Sequence, residues 1–386
     1  MHFGADFDAL IARLSPHKDR PIALAVSGGS DSLALLSLAD AWAKKRRRAL
    51  LVMTVDHQLR PEARAEASAV ARLALDLGYE HRTLVWDKPR ASQNAARVAR
   101  YQLLCGAARE QGASCILLGH TFDDVVETAL IRRRRGVRDV SIAGPSMVSP
   151  APIWPDGRGV SIIRPLVGES RDVLQDHLRQ RQWPWTDDPS NHSFTYERVR
   201  VRKFLDRHPS LKRQSAQFVR SLQMQRLTKD VAVGQCLAQA QVHADGLVQI
   251  DASHASPRVM ALLCRCASGS ASAPRAKALS ELMKRLHAPG ARQTLGGAWF
   301  QKTASGFLVG RDPGSTSDSS VGEVYDGRFV RAADSSLPAS AEQGFLVRHA
   351  SPPCEKWREI VSERLAHIAL CYRTPNLNPV DRTWPL

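Results

Sequence analysis

The chain has 386 residues, of which 43% are hydrophobic and 24% charged, so it has room for two or three globular domains with a sizeable core. Lys and Arg number 54 against 38 Asp and Glu, and the net charge of +16 favours an anionic partner such as a phosphate backbone, although solubility alone would also account for it. Apolar runs of membrane-spanning length, a secretory signal and CxxC pairs are all absent from the sequence, and its seven cysteines are scattered, so we expect a reduced, cytoplasmic protein with no membrane partner.

Short apolar runs alternate with longer stretches rich in Ala, Leu, Arg and Glu in the first part of the chain. The predicted strands are Ile22–Val26, Ala49–Val55, His81–Trp86 and Ser114–Gly119. The predicted helices between them are Ser32–Lys45, Pro61–Leu77 and Ser92–Gln111, and Ser92 is suited to an N-cap. This alternation predicts an α/β fold, a Rossmann-like parallel sheet with helices on both faces, which binds ligands beyond the carboxyl ends of its strands.

The alternation ends near residue 136. A strand is predicted within Val160–Leu166, a helix near Ser170–Arg181, a mostly helical region over Gln214–His287 and a hairpin over Gly297–Gly310. We therefore predict a parallel-sheet domain over residues 1–213, a helical region over 214–295 and a small β-containing region over 296–386.

The stretch SGGSDS, Ser27–Ser32, lies between the first predicted strand and the first predicted helix. Gly28 and Gly29 let the backbone turn sharply and approach a ligand, and the following helix presents its positive N-terminal end. Ser27, Ser30 and Ser32 add hydroxyl donors. A lone Gly-Gly pair is more often an ordinary turn, but the flanking strand and helix favour a phosphate or pyrophosphate cradle, which is neither a Walker A loop nor a GxGxxG loop.

Acidic and imidazole side chains follow the second and fourth predicted strands. These residues are Asp56 and His57 after one strand, and His120, Asp123, Asp124 and Glu127 in and after GHTFDDVVET, which begins at Gly119. The first pair is either a polar contact for a ligand or a solvated strand end. The helix dipole already explains acids in a first turn, whereas the functional alternative is a set of oxygen ligands for Mg²⁺ beside a phosphate loop.

Three groups of basic residues could be either solvated surface or contacts to a nucleic acid. Arg97, Arg100 and Tyr101 share one helical face by their spacing, which is typical of a solvated basic face or of a phosphate or base contact. Arg132–Arg135 cannot all face one ligand from a helix. A second set could line a path for an RNA backbone: Arg198, Arg200, Arg202, Lys203, Arg207, Lys212 and Arg213.

The loop resembles the SGGxDS loop of the PP-loop ATP pyrophosphatases, which split ATP into AMP and pyrophosphate while adenylating a substrate. Four further stretches resemble the tRNA(Ile)-lysidine synthase family in their order and spacing, closely over residues 20–210 and loosely beyond. They are VDHQLRPEA (55–63), ARVARYQLL (96–104), GHTFDDVVET (119–128) and DDPSNHSFTYERVRVRKFL (187–205).

The resemblance implies a ligase that uses ATP to adenylate the wobble cytidine of the CAU-anticodon tRNA(Ile) and then joins free L-lysine to C2, forming lysidine and changing the codon read from AUG to AUA. It implies that Ser27–Ser32 and His120 bind ATP and that Asp31, Asp123 and Asp124 bind Mg²⁺. It implies catalytic roles for Asp31, Asp56, His57, Asp123, Asp124 and Glu127, and contacts to tRNA from Arg97, Arg100, Tyr101, Arg198, Arg200, Arg202 and the helical region 214–295.

The sequence departs from the family pattern at two places and leaves rival functions open. Val125 and Val126 stand where the family usually has Gln-Ala, and RRRRGVRDVSIAG (132–144) replaces a usual Gly-Ser-Gly turn. A tRNA thiolase of the same superfamily would need catalytic or cluster-binding cysteines, and a glutamine-dependent relative would need a glutaminase. A non-catalytic RNA-binding protein would have no reason to keep Asp31, Asp123, Asp124 and Glu127 together.

Overall fold

The computed structural model describes residues 3–58, 63–87, 92–138, 140–154, 156–186, 197–243, 246–270, 273–315, 320–321, 324–325, 329–330 and 355–373. The described chain forms two compact units, one within Met1–Ser149 and Val160–Asp230 and the other within Pro150–Gly159 and Val231–Arg373. The predicted boundaries after residues 213 and 295 stay predictions, and the first of them falls inside a helix, Pro209–Ala238.

The first unit contains the predicted alternation of helices and strands. Its elements are α1 (Ala5–Leu14), β1 (Ile22–Ala25), α2 (Ser30–Arg46), β2 (Leu50–Asp56), α3 (Ala63–Asp76), β3 (Glu80–Val85), α4 (Gln93–Glu110), β4 (Cys115–Leu118), α5 (Phe122–Arg134), β5 (Val148–Pro150), β6 (Ser161–Ile163), α6 (Arg171–Gln180), α7 (Glu197–Arg207) and α8 (Pro209–Ala238), whose last residues enter the second unit. A short 3-10 turn covers Val140–Ala143.

One six-stranded sheet organises this unit, in the order β3-β2-β1-β4-β6-β5. The pairs β2–β3, β1–β2, β1–β4 and β4–β6 are parallel, which confirms the predicted α/β fold class. The central strands are apolar along their whole length because both faces are covered: Ile22 and Leu24 are fully buried, as is the Cys115–Leu117 run of β4. The hydroxyl of Ser92 accepts a hydrogen bond from the Ala95 N–H, so Ser92 is the N-cap that the sequence predicts.

The second unit combines an antiparallel sheet with helices. Its elements are β7 (Gln241–Val242), β8 (Val248–Asp251), α9 (Pro257–Ser268), α10 (Ala276–Arg285), β9 (Arg292–Leu295), β10 (Ala298–Lys302), β11 (Gly306–Arg311), β12 (Ser320–Val321), β13 (Val324–Tyr325), β14 (Phe329–Val330) and α11 (Glu355–Arg373). The order of the main sheet is β7-β8-β11-β10-β9, and β10 pairs with β11 as the predicted hairpin. The strands β7 and β8 were not predicted, since their sequence is short and interrupted. The described helices include none that is long and apolar enough to cross a membrane.

Candidate active site

The carboxyl ends of β1, β2 and β4 lie side by side, because β1 is the parallel neighbour of both other strands. Ser27 follows β1, His57 follows β2 and His120 follows β4. The residues predicted from three separate stretches therefore gather at one edge of the sheet, where open α/β sheets bind their ligands.

The Ser27–Ser32 loop forms a tight turn between β1 and α2. Gly28 has φ +86°, a conformation that favours glycine, and its carbonyl accepts a hydrogen bond from the Thr186 N–H at 3.0 Å. The Ser32 hydroxyl accepts from the Ser27 N–H at 3.1 Å and donates to the Gly29 carbonyl at 2.9 Å. Side-chain capping is absent at the described N-terminus of α2, so its amides and dipole are available to an anion.

The end of β4 approaches this loop very closely. A Cβ atom built on Gly119 would lie 2.9 Å from the Asp31 carbonyl oxygen and 3.1 Å from the Ser32 Cα. Both neighbours are backbone atoms, which cannot rotate away, so only glycine allows β4 to reach the start of α2 here. Gly119 thus sets the distance between the loop and the acidic helix that follows β4.

The acidic helix α5 begins with a capping box. The Asp124 carboxylate accepts from the Thr121 N–H at 2.9 Å, and the Thr121 hydroxyl accepts in return from the Asp124 N–H. The Phe122 N–H donates to the Glu169 carbonyl at 2.8 Å, which fixes the start of α5 beside the start of α6. Part of the role of Asp124 is therefore structural, as the helix-dipole interpretation predicts.

Arg171, which sequence reasoning missed, joins the loop to the acidic helix. Its Nε donates to the Asp31 carboxylate at 3.0 Å, and its guanidinium lies 3.6 Å from Asp124 and 3.9 Å from Glu127. Its backbone N–H donates to the Asp123 carboxylate at 2.8 Å. All four predicted acids of the loop and α5 therefore meet at the first residue of α6.

Two further cations come from α7 and α8. The Arg202 Nε donates to the Glu127 carboxylate at 2.7 Å, and the Lys212 Nζ lies 3.9 Å from the Asp123 carboxylate. The Glu127 side chain is only 2% exposed, so burial would be costly without these partners. Arg171, Arg202 and Lys212 neutralise most of the charge of the four acids.

Burial and the nearby guanidinium groups shift the pKa values of these acids. Burial raises the pKa of Asp31 above its ordinary value against the pull of Arg171, and it raises the pKa of Glu127 against the pull of Arg202. Burial would also raise the pKa of Asp124, but the Arg171 guanidinium outweighs it and holds that pKa below its ordinary value. Acids with divergent pKa values in one cluster are typical of functional sites.

A second cluster beside the strand ends is rich in cations. Burial and then Arg100 lower the pKa of His57, and burial and then Arg164 lower that of His120, so both imidazoles are neutral at pH 7. Tyr101 is 1% exposed, with the Arg97 and Arg100 guanidinium groups 5.1 Å and 5.6 Å from its ring centroid. Buried polar atoms of this cluster that lack a hydrogen-bond partner among the described residues include His57 Nδ1, His120 Nδ1, Arg100 Nε and Arg164 Nε. Unsatisfied donors and uncompensated positive charge are typical of a site that takes an anion.

The remaining predicted residues divide between the site and the surface. Arg202 faces Glu127. Arg198 and Arg200 are both exposed, and Arg198 donates to the Thr128 hydroxyl at 3.2 Å. The Arg132–Arg135 run spreads over several partners, as expected for consecutive helical residues: Arg132 donates to the Ser141 carbonyl and Arg135 pairs with Glu197. Asp56 is buried, and its carboxylate accepts from the Gln58 N–H at 2.8 Å. The Asp188–Asn191 motif lies outside the described residues, and the individual site roles stay predictions.

Comparison with known proteins confirms the resemblance. A family model described as a PP-loop domain matches residues 2–208, more than half of the chain. The tRNA(Ile)-lysidine synthase of Hyphomonas neptunium is 38% identical over 302 residues, which cover 76% of this chain and 82% of that protein. The tRNA(Ile)-lysidine synthase of Caulobacter vibrioides is 33% identical over 370 residues, covering 90% and 82%.

Among solved structures, the U34-tRNA thiolase NcsA from Methanococcus maripaludis with its [4Fe-4S] cluster shows a much weaker likeness. It is 17% identical, with a TM-score of 0.44, and the match covers 57% of this chain and 79% of that one. That likeness is too weak to support an argument about function. The two sequence relatives are more than 30% identical to this chain over at least three quarters of both proteins, and this chain belongs to the tRNA(Ile)-lysidine synthase family of PP-loop proteins.

Proposed function

We propose that this protein ligates free L-lysine to C2 of the wobble cytidine in the CAU-anticodon tRNA(Ile), using ATP, in the cytoplasm. In the first step the cytidine O2 attacks the α-phosphorus of ATP, a P–O bond forms and pyrophosphate leaves. In the second step the lysine ε-amine attacks C2, a C–N bond forms, the C2–O bond breaks and AMP leaves with the adenylated oxygen. The amine loses its protons to bases in the site or to water.

One observation carries this proposal: Asp31 of the phosphate loop and the acids of α5 meet around Arg171 in a chain of this family. A Gly-rich loop alone is consistent with many nucleotide-binding proteins. A loop that faces a carboxylate cluster at the ends of β1 and β4 is consistent with enzymes that must hold both the polyphosphate and a cationic group.

The loop and the cationic cluster suit the adenylation step. The amides at the start of α2 would hold the pyrophosphate portion of ATP, since they are uncapped and lie at the positive helix end. His57, His120, Arg100 and Arg164 would face the negative charge that develops when O2 attacks phosphorus. Donors fixed in place before the reaction stabilise such charge without reorganising, which is the largest source of catalysis in many enzymes.

The acids fit Mg²⁺ only when phosphate oxygens share the coordination. Asp31 and Asp124 both contact the Arg171 guanidinium, so two carboxylates flank one cationic group. Groups of three or more His, Cys, Asp or Glu side chains that could hold a metal alone do not occur among the described residues. Mg²⁺ bound to nucleotides typically takes one or two carboxylates and completes its shell with phosphate and water. When bound, the ion would neutralise phosphate charge, with two of the carboxylates of Asp31, Asp123 and Asp124 as its protein ligands.

The neutral histidines suit the second step. The ordinary pKa of a lysine ε-amine is about 10.4, so the amine is protonated at neutral pH. A base must therefore take a proton from it before the C–N bond can form. His57 is uncharged at pH 7 and its Nδ1 has no hydrogen-bond partner in the described part of the chain. We propose His57 as the acceptor of that proton.

A complete reaction tests the proposal. Purified protein, ATP, Mg²⁺, radiolabelled lysine and a tRNA(Ile) transcript with the CAU anticodon should give labelled tRNA, AMP and pyrophosphate in equal amounts. A transcript whose wobble base is uridine is the matched control and should stay unlabelled. Labelling of the uridine transcript, or lysine transfer without pyrophosphate release, would contradict the proposed chemistry.

The alternative of a tRNA thiolase receives no support from the cysteines of the first unit. Cys105 and Cys115, the cysteines described there, are fully buried in α4 and β4. Burial raises the pKa of Cys115 to about 12, so its thiol is neutral and a poor nucleophile at pH 7. Incubation with a sulfide donor in place of lysine distinguishes the two functions, since a thiolase would transfer sulfur to the tRNA.

A further inference from the structure

The two sides of α7 have different surroundings. Val199 and Leu205 are buried, and Arg202 turns inward to Glu127. On the other side, Arg200, Lys203, Phe204 and Arg207 follow the spacing i, i+3, i+4, i+7 and form one stripe, here called the outer stripe of α7. Arg200, Phe204 and Arg207 are exposed and Lys203 is half-buried.

Phe204 is unusual for a side chain in this position. It is 48% exposed, and Phe218 is the only other Phe, Tyr or Trp among the strongly exposed large apolar residues of the described chain. The His208 ring packs against it with centroids 4.4 Å apart and a tilt of 36°, and His208 Nδ1 lies 2.8 Å from the Phe204 carbonyl oxygen. The phenyl ring is thus supported on one side, while much of its surface faces solvent between cations.

An exposed aromatic ring among cations is the composition of surfaces that bind unpaired nucleotides. Bases stack on the ring regardless of their identity, and the cations neutralise neighbouring phosphates. A purely solvating face needs charge but gains nothing from an exposed phenyl ring, which is costly to hydrate. The ring and the three cations together favour single-stranded RNA over simple solubility.

The position of the stripe relative to the site strengthens this interpretation. The inner side of α7 holds Glu127 through Arg202 at 2.7 Å, and Lys212, close after α7 in the chain, lies 3.9 Å from Asp123. A helix of radius about 5 Å, side chains included, therefore separates the outer stripe from the catalytic acids. A nucleotide that enters the site would leave its loop neighbours within reach of this helix.

We propose that the outer stripe of α7 binds unpaired nucleotides of the tRNA anticodon loop next to the target cytidine. Phe204 is the platform on which one base stacks, and Arg200, Lys203 and Arg207 contact the phosphates beside it. The identity of the RNA rests on the proposed function, whereas the stacking role of Phe204 is a separate claim about this helix.

The test uses the full-length protein and a fluorescent anticodon stem-loop RNA, with affinity measured at several NaCl concentrations. Phe204→Ala should weaken binding by about 5- to 160-fold, the range of one lost base stack. The slope of log affinity against log salt should not change, because the ring carries no charge. Phe204→Trp should restore most of the affinity, since indole stacks as well as phenyl.

Two further variants separate stacking from charge and from general surface effects. Arg200→Gln with Arg207→Gln should flatten the salt slope by about 1.4 to 1.8, since each phosphate contact contributes about 0.7 to 0.9. Leu75→Ala removes an apolar side chain that is even more exposed, 65% on α3 against 48% for Phe204, and should leave RNA affinity unchanged. A fully paired duplex of the same length should bind the wild type and Phe204→Ala equally, because its bases are not available to the ring.

The outcomes distinguish this inference from the proposed function. If Phe204→Ala binds the stem-loop like Leu75→Ala, or loses affinity for the duplex as well, the stacking role is wrong. If the wild type incorporates lysine into the tRNA in that case, the proposed function stands and only the binding surface is lost. If the wild type binds the stem-loop with the predicted Phe204 dependence but transfers no lysine, the surface stands and the proposed reaction fails.

Discussion

Replacing Arg171 by Met should destabilise the first unit and make its stability depend on pH. The substitution keeps an unbranched side chain of similar length and removes the guanidinium that lies 3.0 Å from Asp31, 3.6 Å from Asp124 and 3.9 Å from Glu127. The hydrogen bond from the backbone N–H of residue 171 to Asp123 does not depend on the side chain and should survive. Three carboxylates then lose a shared cation.

The size of the effect follows from burial. Removing one partner of a buried ion pair costs about 3–5 kcal/mol, since the remaining charge is left without compensation. Glu127 keeps Arg202 at 2.7 Å, and Asp31 and Arg171 are about one-fifth exposed, so we expect the lower end, about 3 kcal/mol. For a unit of this size that corresponds to a fall in the unfolding midpoint of roughly 6–12 °C at neutral pH.

The pH dependence has a definite sign. A carboxyl whose folded-state pKa lies above its unfolded value binds protons more tightly when folded, so its contribution to stability is present at low pH and lost as pH rises through the folded pKa. Arg171 lowers the pKa of Asp31, Asp124 and Glu127, and without it all three pKa values rise. The deficit of the variant should therefore be largest at neutral pH and shrink as pH falls towards about 5.

Calorimetric unfolding between pH 5 and 8 measures both effects, and Arg179→Met is the matched control. Arg179 lies on the same helix and pairs with Asp176, but the two side chains are 58% and 63% exposed, so its loss should cost at most about 1 kcal/mol. Mg²⁺ alone should raise the midpoint of Arg171→Met more than that of the wild type, since an added cation meets three unneutralised carboxylates. A deficit no larger than that of Arg179→Met, or one equal at pH 5 and pH 8, would refute the role assigned to Arg171.

Three other substitutions test the loop and the acids. Gly119→Ala places a Cβ atom within 2.9 Å of the Asp31 carbonyl oxygen and should slow pyrophosphate release by about 100-fold. Gly106→Ala is the control, because the space around Gly106 is open, and it should not change the rate. Equal rates for the two variants would contradict the close approach of β4 to the loop. Asp31→Asn should abolish pyrophosphate release without unfolding the protein, as checked by circular dichroism. Asp123→Asn should lower lysine transfer, and recovery at high Mg²⁺ would support a role with the metal, while full activity at low Mg²⁺ would leave Asp123 as a partner of the α6 N-terminus only.

Local signals in the sequence predicted the scaffold well. The apolar runs that became β1, β2 and β4 are buried on both faces, so their composition needed no knowledge of distant residues. Ser92 caps α4 through an interaction three residues away. The strands β7 and β8 were not predicted, because they depend on contacts between distant residues. The strand β8 is held in the sheet by pairing with β11, more than fifty residues later in the chain.

Arg171 shows why the site itself was only partly predictable. Its signal in the sequence is an arginine at the first position of a helix, which is common and has no chemical meaning by itself. Its importance comes from Asp31, 140 residues earlier, and from Asp124 and Glu127 on another helix. Periodicity reports neighbours within one element, whereas this contact depends on α2 and α6 packing together, which only the sheet order determines.

The arginines of α7 illustrate a signal that was present in the sequence and has consequences for experiments. Arg198 and Arg202 are four residues apart and both make contacts on α5, while Arg200 lies two residues from each, near the opposite side of the helix. If all three arginines bound RNA, the loss of affinity on neutralising Arg200 and Arg202 together would report their contacts to phosphates. Because Arg202 is the partner of buried Glu127, that double variant would mix lost RNA affinity with an unpaired buried charge. Arg200 and Arg207 share the outer stripe without that connection to Glu127, so their joint substitution is the one whose salt slope reports RNA binding.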